Sequence, residues 1–425
     1  MSAEGSPVKA QPYVVMVKPV GSLCNMNCAF CYYLNSSERD PSLRGGTMSS
    51  STLERFIQQY IESSPGPVVS FTWHGGEPTL AGLDFFRQAV SIQKKHLPED
   101  WICWNNLQTN GLMLDDPWCA FLAQENFDIG LSIDGTPEIH DKYRRTRSGA
   151  ASFQDAAAAV RLLQTHGIQP DLLCTVTSDA ARRPLDVYQS LRSFNTGWIQ
   201  FIPIVKYAEG RPSPESVSAE EYGYFLTEIF DQWVLHDLGR LEVQIIAETL
   251  RVWGGGQASL CWMMPTCGRA LIVEHEGGVY SCDHYVDAPH RLGSLDQTPL
   301  GLLADSPEQL RFGQDKRDSL PPQCLACPHL EVCNGGCPKD RLPLPQGQGM
   351  LNVLCQGYQK FFSHIEPAAR LVNSMNRAGH RPQAIMTELR KRLAPLWEGV
   401  GRNDPCPCKS GRKAKQCCWH KRVIL

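Results

Sequence analysis

The chain has 425 residues and a near-balanced charge, 41 Lys and Arg against 44 Asp and Glu (−3 formally), which argues against a dedicated nucleic-acid binder. An apolar fraction of 42% with 20% charged residues excludes wholesale disorder. No apolar run reaches the roughly 18–20 residues of a membrane span, and the start MSAEGSPVKAQPY has no apolar signal region, so the expected location is the cytoplasm. Residues 1–12 are small and polar and read as a flexible arm. From there short apolar runs alternate with helical patterns. Strands are expected at 13–20, 68–73, 104–109, 128–134, 171–177 and 198–205, and helices at 49–64, 82–96, 115–125, 151–167 and 184–194. This alternation predicts an α/β class with βα units on a parallel sheet. Six units make a partial (β/α)6 TIM-like barrel, short of a full eightfold one. Two further helical stretches, 218–236 and 241–253, lead to Gly254-Gly255-Gly256, read as a hinge that closes the segment 13–255. The sequence then turns rich in Cys, Pro and Gly to about residue 357, where metal ligation is expected to replace much of a core. A helix over 358–375 ends this second domain, 256–375. A basic connector covers 376–401, and a compact cysteine-bearing tail follows at 402–420.

Structural disulfides are rare in a reducing compartment, so 18 cysteines read first as metal ligands. Cys24, Cys28 and Cys31 form a C-x3-C-x2-C triad just after the first expected strand. Three thiolates fit a [4Fe–4S] cubane that keeps one iron without a protein ligand, whereas most other Fe–S and structural zinc motifs supply four. Cys261, Cys267, Cys282, Cys324, Cys327, Cys333, Cys337 and Cys355 number eight, enough for two fully ligated cubanes, although zinc takes the same thiolate sets. Cys406 and Cys408 with Cys417 and Cys418 are two close pairs around a basic turn. The simplest reading is a structural Zn2+ site, because so short a stretch could hardly fold without metal. Cys103, Cys119 and Cys174 fall in strand or helix patterns and read as buried free thiols. Over 377–425, 12 Lys and Arg face 3 Asp and Glu, a local +9 that could attract a polyanion, though a solvated basic tail is the simpler reading.

The triad, with Phe30 before its last cysteine, resembles the signature of radical S-adenosylmethionine enzymes. Gly75-Gly76-Glu77-Pro78, Gln108-Thr109-Asn110-Gly111 and Ser132-Ile133-Asp134-Gly135 follow the next three expected strands in that family's register. The resemblance implies that the open iron chelates S-adenosyl-L-methionine and that Gly75, Gly76 and Glu77 hold its methionine amino group. It offers Tyr33, Ser132, Arg144 and Val205 as further contacts to cofactor or peptide. The cysteine-rich half resembles the SPASM extension. By that resemblance Cys261, Cys267, Cys282 and Cys337 ligate one auxiliary [4Fe–4S] cluster, and Cys324, Cys327, Cys333 and Cys355 the other, making three clusters in all. More narrowly, CNMNCAFCYYL, HGGEPTL, LSIDG, VYSCDH and CNGGCPK are similar to the anaerobic sulfatase-maturating enzymes over about 13–375, and the tail is similar to the SEC-C zinc motif.

That family oxidises a cysteine or serine of an unfolded sulfatase polypeptide, in a C/S-x-P-x-R-type motif, to Cα-formylglycine. No side-chain acid or base removes hydrogen from an unactivated β-carbon, so the resemblance implies a 5′-deoxyadenosyl radical drawn from the cofactor. It places the base for the substrate thiol or hydroxyl at Asp283, which alone reads as a turn aspartate. It also implies an auxiliary cluster as electron acceptor and a flavodoxin- or ferredoxin-like donor. A SPASM maturase forming thioether or carbon–carbon crosslinks would share nearly every cluster motif, and an adaptor would use the basic tail. The intact triad and GGEP loop favour an enzyme, and Cys282-Asp283-His284 favours formylglycine. His74 and His284 read as satisfied loop histidines.

Overall fold

The computed structural model describes residues 12–34, 43, 46–208, 211–393, 397–407 and 413–416. In chain order the main elements are β1 (Val14–Lys18), α1 (Ser50–Ser63), β2 (Val68–Trp73), α2 (Leu83–His96), β3 (Ile102–Thr109), α3 (Asp116–Gln124), β4 (Phe127–Ser132), α4 (Pro137–Tyr143), α5 (Phe153–Thr165) and β5 (Asp171–Val176). They continue with α6 (Pro184–Arg192), β6 (Trp198–Pro203), α7 (Ala219–His236), β7 (Glu242–Val243), α8 (Gln244–Trp253), β8 (Ala270–Glu274), β9 (Gly278–Tyr280), β10 (Arg291–Ser294), α9 (Pro307–Asp318), α10 (Cys355–Arg377) and α11 (Pro382–Leu393). Every strand and helix expected up to residue 253 forms. The helix α4 was not expected, because seven residues are too few to show a period. The basic connector also carries a helix, α11.

Contacts divide the chain into two units, 1–174 with 265–320, and 175–264 with 321–425. In the first unit the strand order is β10-β9-β8-β1-β2-β3-β4-β5. The run from β8 to β5 is parallel, and β8, β9 and β10 are antiparallel to one another. Alternation explains the packing of these strands. β2 reads VVSFTW and buries Val69, Phe71 and Trp73 on one face. The helix α1, capped by Ser49 accepting from Thr52 N–H, buries Leu53, Phe56, Ile57, Tyr60 and Ile61 at helical spacing. Phe56 meets Phe71 edge-on at 5.7 Å, and Trp73 meets Phe86 of α2 at 5.4 Å. This is the parallel βα sheet that the partial-barrel reading of the sequence predicts.

One sequence expectation needs correction. The cysteine-rich segment was expected to have little core, but β8 enters the sheet directly beside β1, from Val14 opposite Ala270 to Lys18 opposite Glu274. Its residues Leu271, Ile272 and Val273 are 0% exposed. Its first four residues, ALIV, are a short continuous apolar run, the pattern of a parallel strand covered on both faces. The pairing sets Lys18 beside the segment that turns through β9 to Cys282 and Asp283.

In the second unit β6 pairs with β7 in parallel, and α7 packs closely on α10. A Cβ on Gly223 would lie 2.8 Å from the Gly357 backbone, and one on Gly357 would lie 2.2 Å from the Ala219 carbonyl oxygen, so only glycine permits so close an approach at this crossing. No helix among the described residues is long and apolar enough to cross a membrane.

Candidate active site

The loop of Cys24, Cys28 and Cys31 is held almost entirely by backbone hydrogen bonds within the first unit. Asn27 N–H donates to Arg145 O (2.7 Å) and Ala29 N–H to Tyr143 O (2.9 Å). Asn110 Nδ2 donates to Asn25 Oδ1 (2.8 Å), and Arg147 Nε to the Cys24 carbonyl (2.6 Å). From the next loop, Gly76 N–H donates to Gly21 O (2.9 Å) and Glu77 N–H to Leu23 O (2.8 Å). A Cβ on Gly76 would sit 2.0 Å from Leu23 O, which is why the second glycine of the GGEP loop is required. Burial pushes the Cys24 thiol up to about 12, and the nearby Cys28 and Cys31 add to the effect. Three thiols in mutual reach on one loop fit a cubane with one iron left for a ligand from outside the chain. Coordination deprotonates a thiol outright and so offsets the burial.

Glu77 is fully buried, and its carboxylate ties two loops together. Oε1 accepts from Thr79 N–H (3.1 Å), Thr79 Oγ1 (2.6 Å) and Thr109 Oγ1 (2.8 Å), while Oε2 accepts from Asn110 N–H (2.8 Å). Burial raises its carboxyl, and these hydrogen bonds recover part of the shift.

Asp283 follows Cys282 just beyond β9. Its Oδ1 accepts from Lys18 Nζ and its Oδ2 from the Tyr32 hydroxyl. Lys18 is 0% exposed, with its ammonium 3.9 Å over the Tyr33 ring. Tyr33 turns into the core among Leu43, Ile272, Tyr280 and Val286, and its hydroxyl donates to Glu274. Burial alone would push the Asp283 carboxyl up. The Lys18 ammonium and its hydrogen bond, aided by the neighbouring imidazoles of His74 and His284, outweigh it and hold the group well below the usual carboxylate range. Burial and the Lys18 charge push His74 down to about 4. Its Nδ1 accepts from Gly75 N–H (2.7 Å), so the neutral ring carries its proton on Nε2. Lys18 and Tyr32 were not among the residues read from the sequence. The single charge in VVMVKPV was the available signal for Lys18, but a lysine at a strand end is exposed by default.

Arg144 is braced against Asp134, its Nε donating to Oδ2 (2.6 Å) and Nη2 to Oδ1 (3.1 Å). The pair is buried, with the guanidinium 5.1 Å over the Phe30 ring. Burial pushes the Cys28 thiol up and Arg144 draws it back, so the brace reaches the triad. Arg144→Leu removes the guanidinium that braces the buried Asp134 carboxylate, and about 3–5 kcal/mol of stability is the expected loss. Thermal unfolding of the metal-free protein measures it; unchanged stability there would show that Arg144 serves only a ligand. Ser132 Oγ accepts from Gln108 Nε2 (3.2 Å), and Val205 lies beyond β6 in the second unit, half-buried.

In the second unit burial pushes Cys333 up to about 12, with Cys355, Cys324 and Cys327 adding to it, and burial likewise pushes Cys355 up to about 11, with Cys324 and Cys327 adding to it. Four thiols in mutual reach fit a fully ligated cubane. Cys337 is pushed up to about 12, by burial first and then by Asp340 and, more weakly, Cys261. In the first unit Gln309 Nε2 donates to Gly268 O (2.6 Å) and Ser281 O (3.1 Å), tying together the segments that carry Cys267 and Cys282. Cys406 is buried in the tail, whereas Cys408, Cys417 and Cys418 lie outside the described residues.

A parallel βα sheet with three thiols after its first strand and a GGEP loop after its second defines a radical S-adenosylmethionine enzyme. Comparison with known proteins agrees. The Radical SAM superfamily profile matches residues 19–179, the SPASM iron-sulfur cluster-binding domain 261–328 and the SEC-C motif 402–419. The serine-type anaerobic sulfatase-maturating enzyme of Bacteroides thetaiotaomicron is 39% identical, across 90% of this chain and 96% of its own length. The cysteine-type enzyme of Clostridium perfringens is 32% identical, across 86% and 99%. The solved structure of native anSMEcpe with bound AdoMet and Cp18Cys peptide superposes with a TM-score of 0.79 at 30% identity, covering 86% of this chain and 99% of that one. The chain belongs to the family of anaerobic sulfatase-maturating enzymes, oxidoreductases that form Cα-formylglycine using S-adenosylmethionine and [4Fe–4S] clusters.

Proposed function

We propose that this chain oxidises the β-carbon of a cysteine or serine, within a C/S-x-P-x-R-type motif of an unfolded sulfatase polypeptide in the cytoplasm, with Asp283 taking the substrate's thiol or hydroxyl proton. The observation that carries this reading is the placement of the Asp283 carboxylate, held by Lys18 and Tyr32 next to Cys282 and in the same unit as Cys24, Cys28 and Cys31. When bound at those three thiolates, the cluster with S-adenosyl-L-methionine supplies the radical that takes a hydrogen atom from the β-carbon. The backbone of Gly75, Gly76 and Glu77 offers an edge for the methionine amino group, and Ser132 and Val205 sit at the ends of β4 and β6 as further contacts. Tyr33 and Arg144 act from behind, the first under Lys18 and the second beside Cys28. Deprotonation by Asp283 puts negative charge on the atom next to the carbon that must lose an electron. That favours the loss. Cys261, Cys267, Cys282 and Cys337 would hold an auxiliary cluster able to accept the electron, and Cys324, Cys327, Cys333 and Cys355 would hold the second. A flavodoxin- or ferredoxin-like protein is the proposed electron donor.

We assign 13–255 to the radical S-adenosylmethionine part, 256–375 to SPASM, 376–401 to a connector and 402–420 to a zinc unit at Cys406, Cys408, Cys417 and Cys418. Truncation after about residue 400 should remove zinc and leave oxidation of a short peptide near normal, since a four-thiolate site is self-contained. A large loss of turnover with unchanged iron would show that the tail helps to build the active site. The function itself is tested with anaerobically reconstituted holoenzyme, S-adenosylmethionine, dithionite and C-x-P-x-R and S-x-P-x-R peptides, reading the aldehyde by hydrazide capture and mass. Consumption of S-adenosylmethionine with a modified peptide that resists aldehyde capture would overturn the assignment.

A further inference from the structure

The two tyrosines after Cys31 do different work. Tyr33 is committed to the core, its ring under Lys18 and its hydroxyl on Glu274. Tyr32 points the other way, 41% exposed, and its hydroxyl donates to Asp283 Oδ2. Asp283 is thus held from two sides, Oδ1 by the fully buried Lys18 and Oδ2 by the half-exposed Tyr32. An ammonium is a point charge with three rotatable donors, so Lys18 holds the carboxylate's charge without setting the plane of its two oxygens. The second hydrogen bond sets that plane. Tyr32 is suited to this because its ring is itself fixed, packed edge-on against His284 at 5.1 Å with a 64° tilt. Its hydroxyl also lies within electrostatic reach of both Cys31 and Cys282.

We propose that Tyr32 is a positioning residue for the oxidation, fixing the outward oxygen of Asp283 so that it faces the substrate's thiol or hydroxyl. The proposal rests on the reading of Asp283 as the base. The test uses reconstituted holoenzyme and Tyr32→Phe, which keeps the ring and its contact with His284 and removes only the hydroxyl. The two products are counted together. Formylglycine made per 5′-deoxyadenosine is expected to fall roughly ten- to a hundredfold, the range for a lost charge-assisted hydrogen bond. Iron content and peptide KM should stay the same. Asp283→Asn and the double variant are run beside it. Because Tyr32 acts through Asp283, its substitution should cost nothing further in the Asp283→Asn background. Normal coupling in Tyr32→Phe with strong uncoupling in Asp283→Asn would overturn the role of Tyr32 alone. Normal product from Asp283→Asn would remove the base reading and this proposal with it. Iron loss from Tyr32→Phe in both backgrounds, or full additivity, would show that Tyr32 only packs.

Discussion

Replacing Cys24, Cys28 and Cys31 together with alanine is expected to remove about four of roughly twelve irons and to abolish S-adenosylmethionine cleavage, leaving both auxiliary clusters and one zinc. The loop should survive the change. The hydrogen bonds from Asn27, Ala29, Gly76 and Glu77 run through backbone donors and carbonyls, and Asn110 holds Asn25 by its side chain, so none of these depends on sulfur. The cysteines in the second unit lie on other segments and keep their own neighbours. Total iron, zinc and 5′-deoxyadenosine, measured on one anaerobic preparation, check all three statements. Zinc in place of iron at the remaining thiols would contradict the two auxiliary clusters, and residual 5′-deoxyadenosine above background would contradict the placement of the first.

Asp283→Asn is expected to lower formylglycine formation by about a hundred- to ten-thousandfold, the usual contribution of a general base. Asparagine keeps the size of the side chain and one acceptor for Lys18, but it cannot take a proton at neutral pH. S-adenosylmethionine cleavage should fall far less, so 5′-deoxyadenosine accumulates without matching product. Lys18 loses its counter-charge in this variant while remaining fully buried, so iron must be measured alongside to exclude a collapse around Cys282. A variant that retains iron and forms formylglycine at the normal rate would make Asp283 a turn residue and place the base elsewhere.

Much of this was legible in the chain. The strands and helices before residue 253 carry their own periodicity, and β2 reads the same in sequence and structure because alternate apolar residues allow one register only. The triad and the GGEP loop were legible because their chemistry is local, with ligand spacing and a glycine that must pass close to Leu23 O. β8 was harder to recognise. Four continuous apolar residues before Glu274 carry no period, and the surrounding cysteines suggested a region without a core.

Residue spacing by itself determined the class of the βα region, the position of the three-thiol loop and the number of thiols available for further clusters. Those follow from near neighbours along the chain. The tertiary structure alone decided which thiols share a neighbourhood, that Glu77 spends its carboxylate on Thr79, Thr109 and Asn110, and that Lys18 is buried against Asp283. Lys18 and Asp283 are 265 positions apart. They meet because β8 pairs with β1, and a strand pairing of that separation is set by burial of both faces of the sheet, which no local pattern around either residue encodes.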